Sequence, residues 1–233
     1  MRAMYQVAID TSLPVFGPDY DTLGGCIAVA GYSLFRHRFG GESWLVADSE
    51  SQDAKPSIIL TLDLSDPLLS DLQSLSLDEL PLCSHIAYDI GASSQLFEID
   101  PNKRSVTCVQ RGAFKSERTN LPAFSLNEKP LTLLPMNNED LPTSEVAYWS
   151  ASDLFVGGGR FIRILGPPLW LYAVEVVKCS CGRSMRYVGA IGYESRPPFS
   201  QLIDNGPVFF GEMGLYWFLC ERCLTFAVTS QST

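Results

Sequence analysis

Histidine is nearly missing from this chain: His37 and His85 are the only two in 233 residues. An enzyme using histidine as its base would have two candidates, and neither sits in a motif. Charge is also scarce, at 18% of residues, and its balance is acidic: 17 Lys and Arg against 26 Asp and Glu, a net of -9. A chain that begins by repelling phosphate is badly suited to nucleic acid. No apolar run approaches the roughly 18 to 20 residues of a membrane-spanning helix. The most apolar segment, 167–177, is short and carries Glu175. Met1 to Asp10 has one Arg and no long apolar run, unlike a signal peptide. A cytoplasmic, reducing compartment is therefore expected, with the seven cysteines as thiols. Their odd number also argues against a full disulfide framework. A phosphate-binding glycine loop and a dinucleotide fingerprint are absent too. Gly157-Gly158-Gly159 lacks the Lys-Ser/Thr ending and reads as a tight turn.

What is present is apolar material, 46% of residues, enough for a real core. The acid is concentrated. Between Asp48 and Asp100 stand eleven acidic residues and only one Lys or Arg, Lys55, while the rest of the chain is close to neutral. Two readings stand: a solvated face that keeps the protein soluble, or a negative surface that docks a basic partner.

The periodicities predict an α+β chain that is mostly β, with antiparallel sheets and one or two short helices. Tyr5 to Ile9, Gly25 to Tyr32 and Ser43 to Ala47 read as strands, with 36–41 a charged loop between the last two. Ser57 to Leu64 is the strongest strand of the first half, with Ile58, Leu60, Leu62 and Leu64 on one face and Asp63 on the other. A helix follows, capped by Ser65 or Asp66, with Pro67 in its first turn and Leu68, Leu69, Leu72 and Leu75 in one stripe. Pro81 closes that region. His85 to Ile90, Gln95 to Ile99 and Ser105 to Gln110 form a meander, and Asp100-Pro101-Asn102-Lys103 has turn chemistry. A long connection bears a short apolar run at Leu131 to Leu134. Thr143 to Phe155 reads as a helix with Val146, Trp149 and Leu154 inward. Strands are expected at Phe161 to Leu165, Leu169 to Val177, Met185 to Tyr193, Leu215 to Cys220 and Leu224 to Thr229. The chain reads as one domain, 1–233, divisible into an acidic half (1–142) and a cysteine-bearing half (143–233). Gly40-Gly41, Pro56 and the Ile58 strand echo Gly158-Gly159, Pro167-Pro168 and the Met185 strand. The echo reads as a degenerate duplication or as chance, since Gly and Pro number 18 and 15.

Four thiols form the one constellation with clear chemistry: Cys179-x-Cys181-Gly182 and Cys220-x-x-Cys223. Zinc takes four tetrahedral thiolates, and two close pairs let two turns each bring two sulfurs to the ion. Gly182 permits the tight backbone the first turn needs. A structural Zn2+ held by Cys179, Cys181, Cys220 and Cys223 is the favoured reading. A redox pair at Cys220 and Cys223, or unliganded buried thiols, are the alternatives. Catalytic zinc is disfavoured, because four cysteines leave no position for water. Cys26 and Cys108 read as small core residues. Cys83, two residues from His85, offers a Cys-His nucleophile pair with no elbow and no orienting acid in sight.

The order Gly158-Gly159, Pro168-x-Trp170, Cys179-x-Cys181-Gly182, the Met185 strand and Leu215-Tyr216-Trp217-Phe218-x-Cys220-x-x-Cys223 resembles the YwqG-like bacterial proteins. It also resembles, more distantly, the eukaryotic programmed cell death protein 2 family. Here the first pair is Cys-x-Cys rather than Cys-x-x-Cys, and Ala190 stands near the place of a glutamine. The resemblance implies a rigid β scaffold with a binding face and no enzyme. It implies an immunity protein that neutralises a bacterial toxin by direct binding. Its eukaryotic branch implies a chaperone or escort for a basic protein. A cysteine-dependent hydrolase using Cys83 or Cys108 is the reading from another class.

Overall fold

The structure, a computed structural model, describes residues 6–10, 25–49, 56–85, 94–111, 126–137, 142–150, 161–192, 202 and 213–232. It is mostly β, and fourteen strands run through the described residues: β1 Gln6–Asp10, β2 Cys26–Ala30, β3 Arg38–Phe39, β4 Leu45–Asp48, β5 Ser57–Asp63, β6 Glu79–Ser84, β7 Gln95–Asp100, β8 Ser105–Gln110, β9 Lys129–Pro135, β10 Ile162–Ile164, β11 Val174–Lys178, β12 Arg186–Ile191, β13 Met213–Cys220 and β14 Thr225–Ser232. Twelve join in one sheet, ordered β4-β8-β7-β14-β13-β12-β10-β2-β9-β3-β5-β6, and β1 with β11 forms a separate ribbon. The sheet is mixed rather than purely antiparallel, because β4 runs parallel to β8. It curls. The Trp217 indole N–H on β13 donates to the Cys83 carbonyl on β6 (3.0 Å), and Arg104 beside β8 reaches Glu79 on β6, although these strands stand far apart in the sheet order.

Period-2 alternation in β13 divides the interior into two cores. Leu215, Trp217 and Leu219 point into the larger one, with Ile59, Leu60, Leu62, Phe97 and Phe226. Tyr216, Phe218 and Cys220 point the other way, into a second core with Tyr148, Leu169, Trp170, Cys179 and Met185. The Tyr148 and Tyr216 hydroxyls donate to the Trp170 and Leu169 carbonyls (2.9 and 2.6 Å), so neither polar tip is buried unpaired.

The strand order carries its own echo. Outward from the central β2–β9 pair come β10 then β12 on one side, and β3 then β5 on the other. Each of β3 and β10 is followed at once by two residues of positive φ: Gly40 and Gly41 (65° and 84°), and Leu165 and Gly166 (57° and 68°). Glycine is required at the first place, since a Cβ on Gly40 would lie 2.7 Å from the Leu126 and Asn127 carbonyl oxygens. The structural counterpart of Gly40-Gly41 is thus Leu165-Gly166. Gly158-Gly159 lies outside the described residues.

Several expectations need correction. The charged loop at 36–41 contains strand β3, too short to show periodicity. Pro81 does not close a region. It sits inside β6, which ends the sheet order, where a strand tolerates a residue with no N–H. Of the strand expected from His85 to Ile90, His85 follows the end of β6 and 86–90 lie outside the described residues. β5 is buried on both faces rather than one. After it, Asp66 caps a 3-10 helix, Pro67–Leu72, by accepting from the Leu68 N–H (2.9 Å). Leu69 and Leu72 face inward, and Leu68 does not. The segment at 145–150 is helical, and the Ser144 hydroxyl accepts from the Ala147 N–H (3.1 Å) as a cap should. Its inward residue is Tyr148. Val146 is exposed, Trp149 is part-exposed, and Leu154 lies outside the described residues. Of the run Leu169 to Val177, only Val174 onward is strand; Leu169, Trp170 and Leu171 roof the second core as irregular chain.

The candidate metal centre

The two cysteine pairs arrive on two tight turns. β11 and the start of β12 are joined by a hairpin in which Lys178 bridges Ser184, the Cys179 N–H donates to the Arg183 carbonyl (2.9 Å), and the Gly182 N–H donates to the Cys179 carbonyl (2.8 Å). Gly182 takes φ 84° with open space around it, so the backbone there, and not packing, demands glycine. The second turn, 221–224, joins β13 to β14. Leu224 closes it at φ 49°, and its carbonyl accepts from the Ile99 N–H (2.9 Å). Cys220 is buried on the second-core face of β13 because it shares alternation with Tyr216 and Phe218.

The four ligand atoms of Cys179, Cys181, Cys220 and Cys223 lie within 4.8 Å of one another, and the Cys181 and Cys220 sulfurs are 3.7 Å apart. That separation excludes a disulfide, whose sulfurs stand about 2.05 Å apart. It matches the edge of a thiolate tetrahedron, about 3.8 Å for metal–sulfur bonds of about 2.3 Å. The arrangement can hold a metal ion. Burial falls across the cluster: Cys179 and Cys220 are buried, Cys181 is half-buried and Cys223 is exposed. Although Cys223 is exposed as a residue, partial desolvation against its neighbours, then the neighbouring thiols themselves, push its thiol up to about 12, and burial with Cys179 and Cys181 beside it raises Cys220. Crowded sulfurs resist sharing negative charge. A bound cation reverses that, because a coordinating thiol is deprotonated outright.

Cys83 and His85 do not form a nucleophile pair. Cys83 is fully buried, and burial with the Cys108 thiol nearby pushes its pKa far up, the opposite of an activated thiol. His85 turns instead to Asp48, 2.9 Å away, and Cys108 completes a cluster whose ligand atoms lie within 4.8 Å. This grouping was invisible in the sequence, since its members come from β4, the end of β6 and β8. It is charge-balanced already. Arg111 lies against the same Asp48 oxygen, and burial holds His85 neutral, its pKa pushed down to about 4 with Arg111 assisting and Asp48 opposing. Cys108 donates its thiol proton to the Gln110 carbonyl (3.3 Å) and is fully buried. The arrangement suits a packed polar fastening and not a thiol that meets substrate.

His37 is a fastening as well. Its Nδ1 accepts from the Asp63 N–H (3.1 Å), so the ring's proton sits on Nε2, 2.8 Å from Asp66. The start of β3, the end of β5 and the cap of the 3-10 helix are held at that point. The acidic span is therefore not one solvated face. Asp63, Asp66 and Glu79 are buried, and the Asp48 carboxylate is buried against Arg111 and His85. Among the described residues of the span, Asp71, Asp78 and Glu98 remain exposed, and half-buried Asp100 pairs with Lys103.

Among the described residues no helix is long and apolar enough to cross a membrane. Comparison of the chain with protein-family models, curated proteins and solved structures finds no match.

Proposed function

We propose that this chain is a zinc-stapled β scaffold that works by binding a basic protein, and that its use is to neutralise a toxin. The convergence of four thiols from two hairpin turns carries the reading. Four sulfurs close a zinc coordination sphere and leave no position for a reacting water, so the ion would serve architecture and not chemistry. Zinc is preferred because an all-thiolate tetrahedron suits it, and carboxylate- or water-seeking ions are disfavoured there. The net charge of -9 and the exposed Asp71, Asp78 and Glu98 favour a basic partner and a salt-sensitive association. The sequence resemblance supplies the toxin-neutralising role. An escort for a basic protein uses the same scaffold and differs only in what its partner does when released.

The test combines elemental analysis with a partner assay. The purified chain should contain one zinc. At low salt it should retain one stoichiometric basic protein, which purified on its own should bind again with an affinity weakened by added salt and by joint Asp71→Lys and Asp78→Lys substitution. Co-expression should protect cells from that partner. A metal-free chain overturns the staple. A partner indifferent to salt and to both charge reversals overturns the binding mode. A partner harmless to cells converts the neutraliser into an escort.

A further inference from the structure

The four thiols are not equally guarded. Cys179 and Cys220 are 3% and 2% exposed, Cys179 with its sulfur 3.9 Å from the Thr225 hydroxyl. Cys181 is half-buried and Cys223 is exposed. A groove lined by Glu98, Asp100, Ser105, Thr107, Ser180 and Thr225 runs directly past Cys223, between the turns 101–104 and 221–224. Its walls are mostly polar, with Ile99 and Pro101 among them, so the groove gives a small polar oxidant a path to Cys223.

We infer that the cluster is a peroxide-sensitive metal latch, in which Cys223 takes the oxidant and Cys181 resolves it. The inference rests on the metal reading above. In the first step the Cys223 thiolate attacks one peroxide oxygen. The O–O bond breaks, hydroxide leaves and takes a proton from solvent, and Cys223 becomes a sulfenic acid. In the second step the Cys181 thiolate attacks the Cys223 sulfur. The S–O bond breaks, a second hydroxide leaves as water, and a Cys181–Cys223 disulfide forms. Two electrons pass from sulfur to peroxide, and the ion, with two of its four ligands gone, is released. The two turns stay joined, now by a covalent bond in place of a metal.

The experiment uses the reduced, metal-loaded chain as purified, and its first measurement is metal content. A chain without metal fails the staple itself. With metal present, titration with hydrogen peroxide should release one equivalent of zinc to a chromogenic chelator and remove two free thiols per chain. Digestion with trypsin separates the first pair from Cys223, because cleavage after Lys178, Arg183 and Arg222 leaves Cys179 and Cys181 together in 179–183 and Cys223 in 223–233. The non-reduced digest should show 179–183 bonded to 223–233, with backbone fragmentation between Cys179 and Cys181 placing the bond on Cys181; a bond on Cys179 overturns the assignment of the resolving thiol. Limited alkylation of the metal-loaded chain should label Cys223 first. Retention of zinc and all thiols under excess peroxide overturns the latch, and so does a bond between Cys220 and Cys223. None of these readings needs a folded cysteine variant.

Discussion

Two hairpins of this protein are built alike and fastened differently. β7 and β8 enclose the turn 101–104, β13 and β14 enclose 221–224, and each turn closes on a residue of positive φ, Arg104 at 47° and Leu224 at 49°. They lie side by side, since β7 pairs with β14 and Phe97 stacks on Phe226 at 4.8 Å. Where the second hairpin places Cys220 and Cys223, the first places Asp100 and Lys103, whose ammonium and carboxylate meet at 2.7 Å. Arg104 then ties the first turn to the rest of the molecule. It reaches Glu79 (2.6 Å) and the Ser43 carbonyl (3.3 Å), and its guanidinium lies 5.2 Å from the Trp44 ring centroid. The charged fastening carries its own counter-charges and is complete once the chain folds. The thiol fastening is not. Neutral sulfurs at contact distance attract each other weakly, so they add a firm hold to the second turn only when a cation joins them; without one the turn keeps the Leu224 carbonyl on the Ile99 N–H (2.9 Å) and the Glu221–Arg186 pair (3.3 Å).

Removing the metal of the proposed staple should therefore produce the largest effect. Structural zinc contributes an apparent 10 to 16 kcal/mol in small zinc peptides, comparable to a whole domain's net stability of about 5 to 15 kcal/mol. Here a two-core sheet shares the task, so the chain should stay folded and lose only part of that. We expect Cys220→Ser to lose its zinc and to melt lower by on the order of 10 °C. Chelator should bring the wild type down to the variant and leave the variant where it is. A variant that melts like the untreated wild type would break the comparison, because the two hairpins would then be equally self-sufficient.

The charged fastening gives the second prediction. Glu79 is buried between Arg38 (2.8 Å) and Arg104, with the Trp44 N–H at 3.3 Å. Breaking a buried ion pair costs about 3 to 5 kcal/mol, and because Arg104 stands half in solvent, Glu79→Ala should fall at the low end. The shift should be the same with or without chelator. Burial pushes the Glu79 pKa up, but Arg38, Trp44 and Arg104 together hold it below its ordinary 4.5. The unfolded chain then takes up the proton first, so this contribution is present above 4.5 and is lost as pH falls through the lower folded value. Glu79→Gln should flatten that part of the acid-denaturation profile, seen by far-UV circular dichroism. An unchanged slope would show that Glu79 does not carry the fastening.

The thiol fastening was legible in the sequence and the charged one was not, and the reason is physical. Cysteines at short spacing announce a ligand set before any fold is known, because few other uses bring four of them together. A carboxylate announces nothing about its partner. Asp48, Asp63, Asp66 and Glu79 looked like surface because acidic residues usually are, yet their partners Arg111, the Arg36 N–H, His37, Arg38 and Arg104 come from distant parts of the chain, on or beside other strands, and only the sheet order brings them near. Local alternation located most strands, β13 and β14 among them. It failed where an element was too short for a period, as in β3, and where the wet side of a helix had to be chosen. Val146 and Trp149 are as apolar as the buried Tyr148, which is selected by the second core beneath it and the Trp170 carbonyl that takes its hydroxyl proton.

The smallest effect belongs to the pair that occupies the cysteine positions in the first hairpin. Asp100 accepts from the Lys103 backbone N–H (3.2 Å) as well as from its ammonium, and hydrogen bonding to Lys103 lowers the Asp100 pKa. The side chains are nevertheless 38% and 77% exposed, so water competes for both and salt screens what is left. Lys103→Ala should leave the melting temperature unchanged within error at physiological salt. Asp100→Ala should lower it slightly, through the lost turn bond to the backbone and not through the lost charge. Asp100→Asn, which keeps an acceptor for that bond, should restore the wild-type value. If Lys103→Ala destabilises as much as Asp100→Ala, the ion pair itself holds the turn, and the place given to thiols in one hairpin is filled by a working salt bridge in the other. If only Asp100→Ala registers, the first hairpin needs nothing at those positions beyond turn chemistry. Its true fastening is then Arg104 on Glu79, one residue further along the chain.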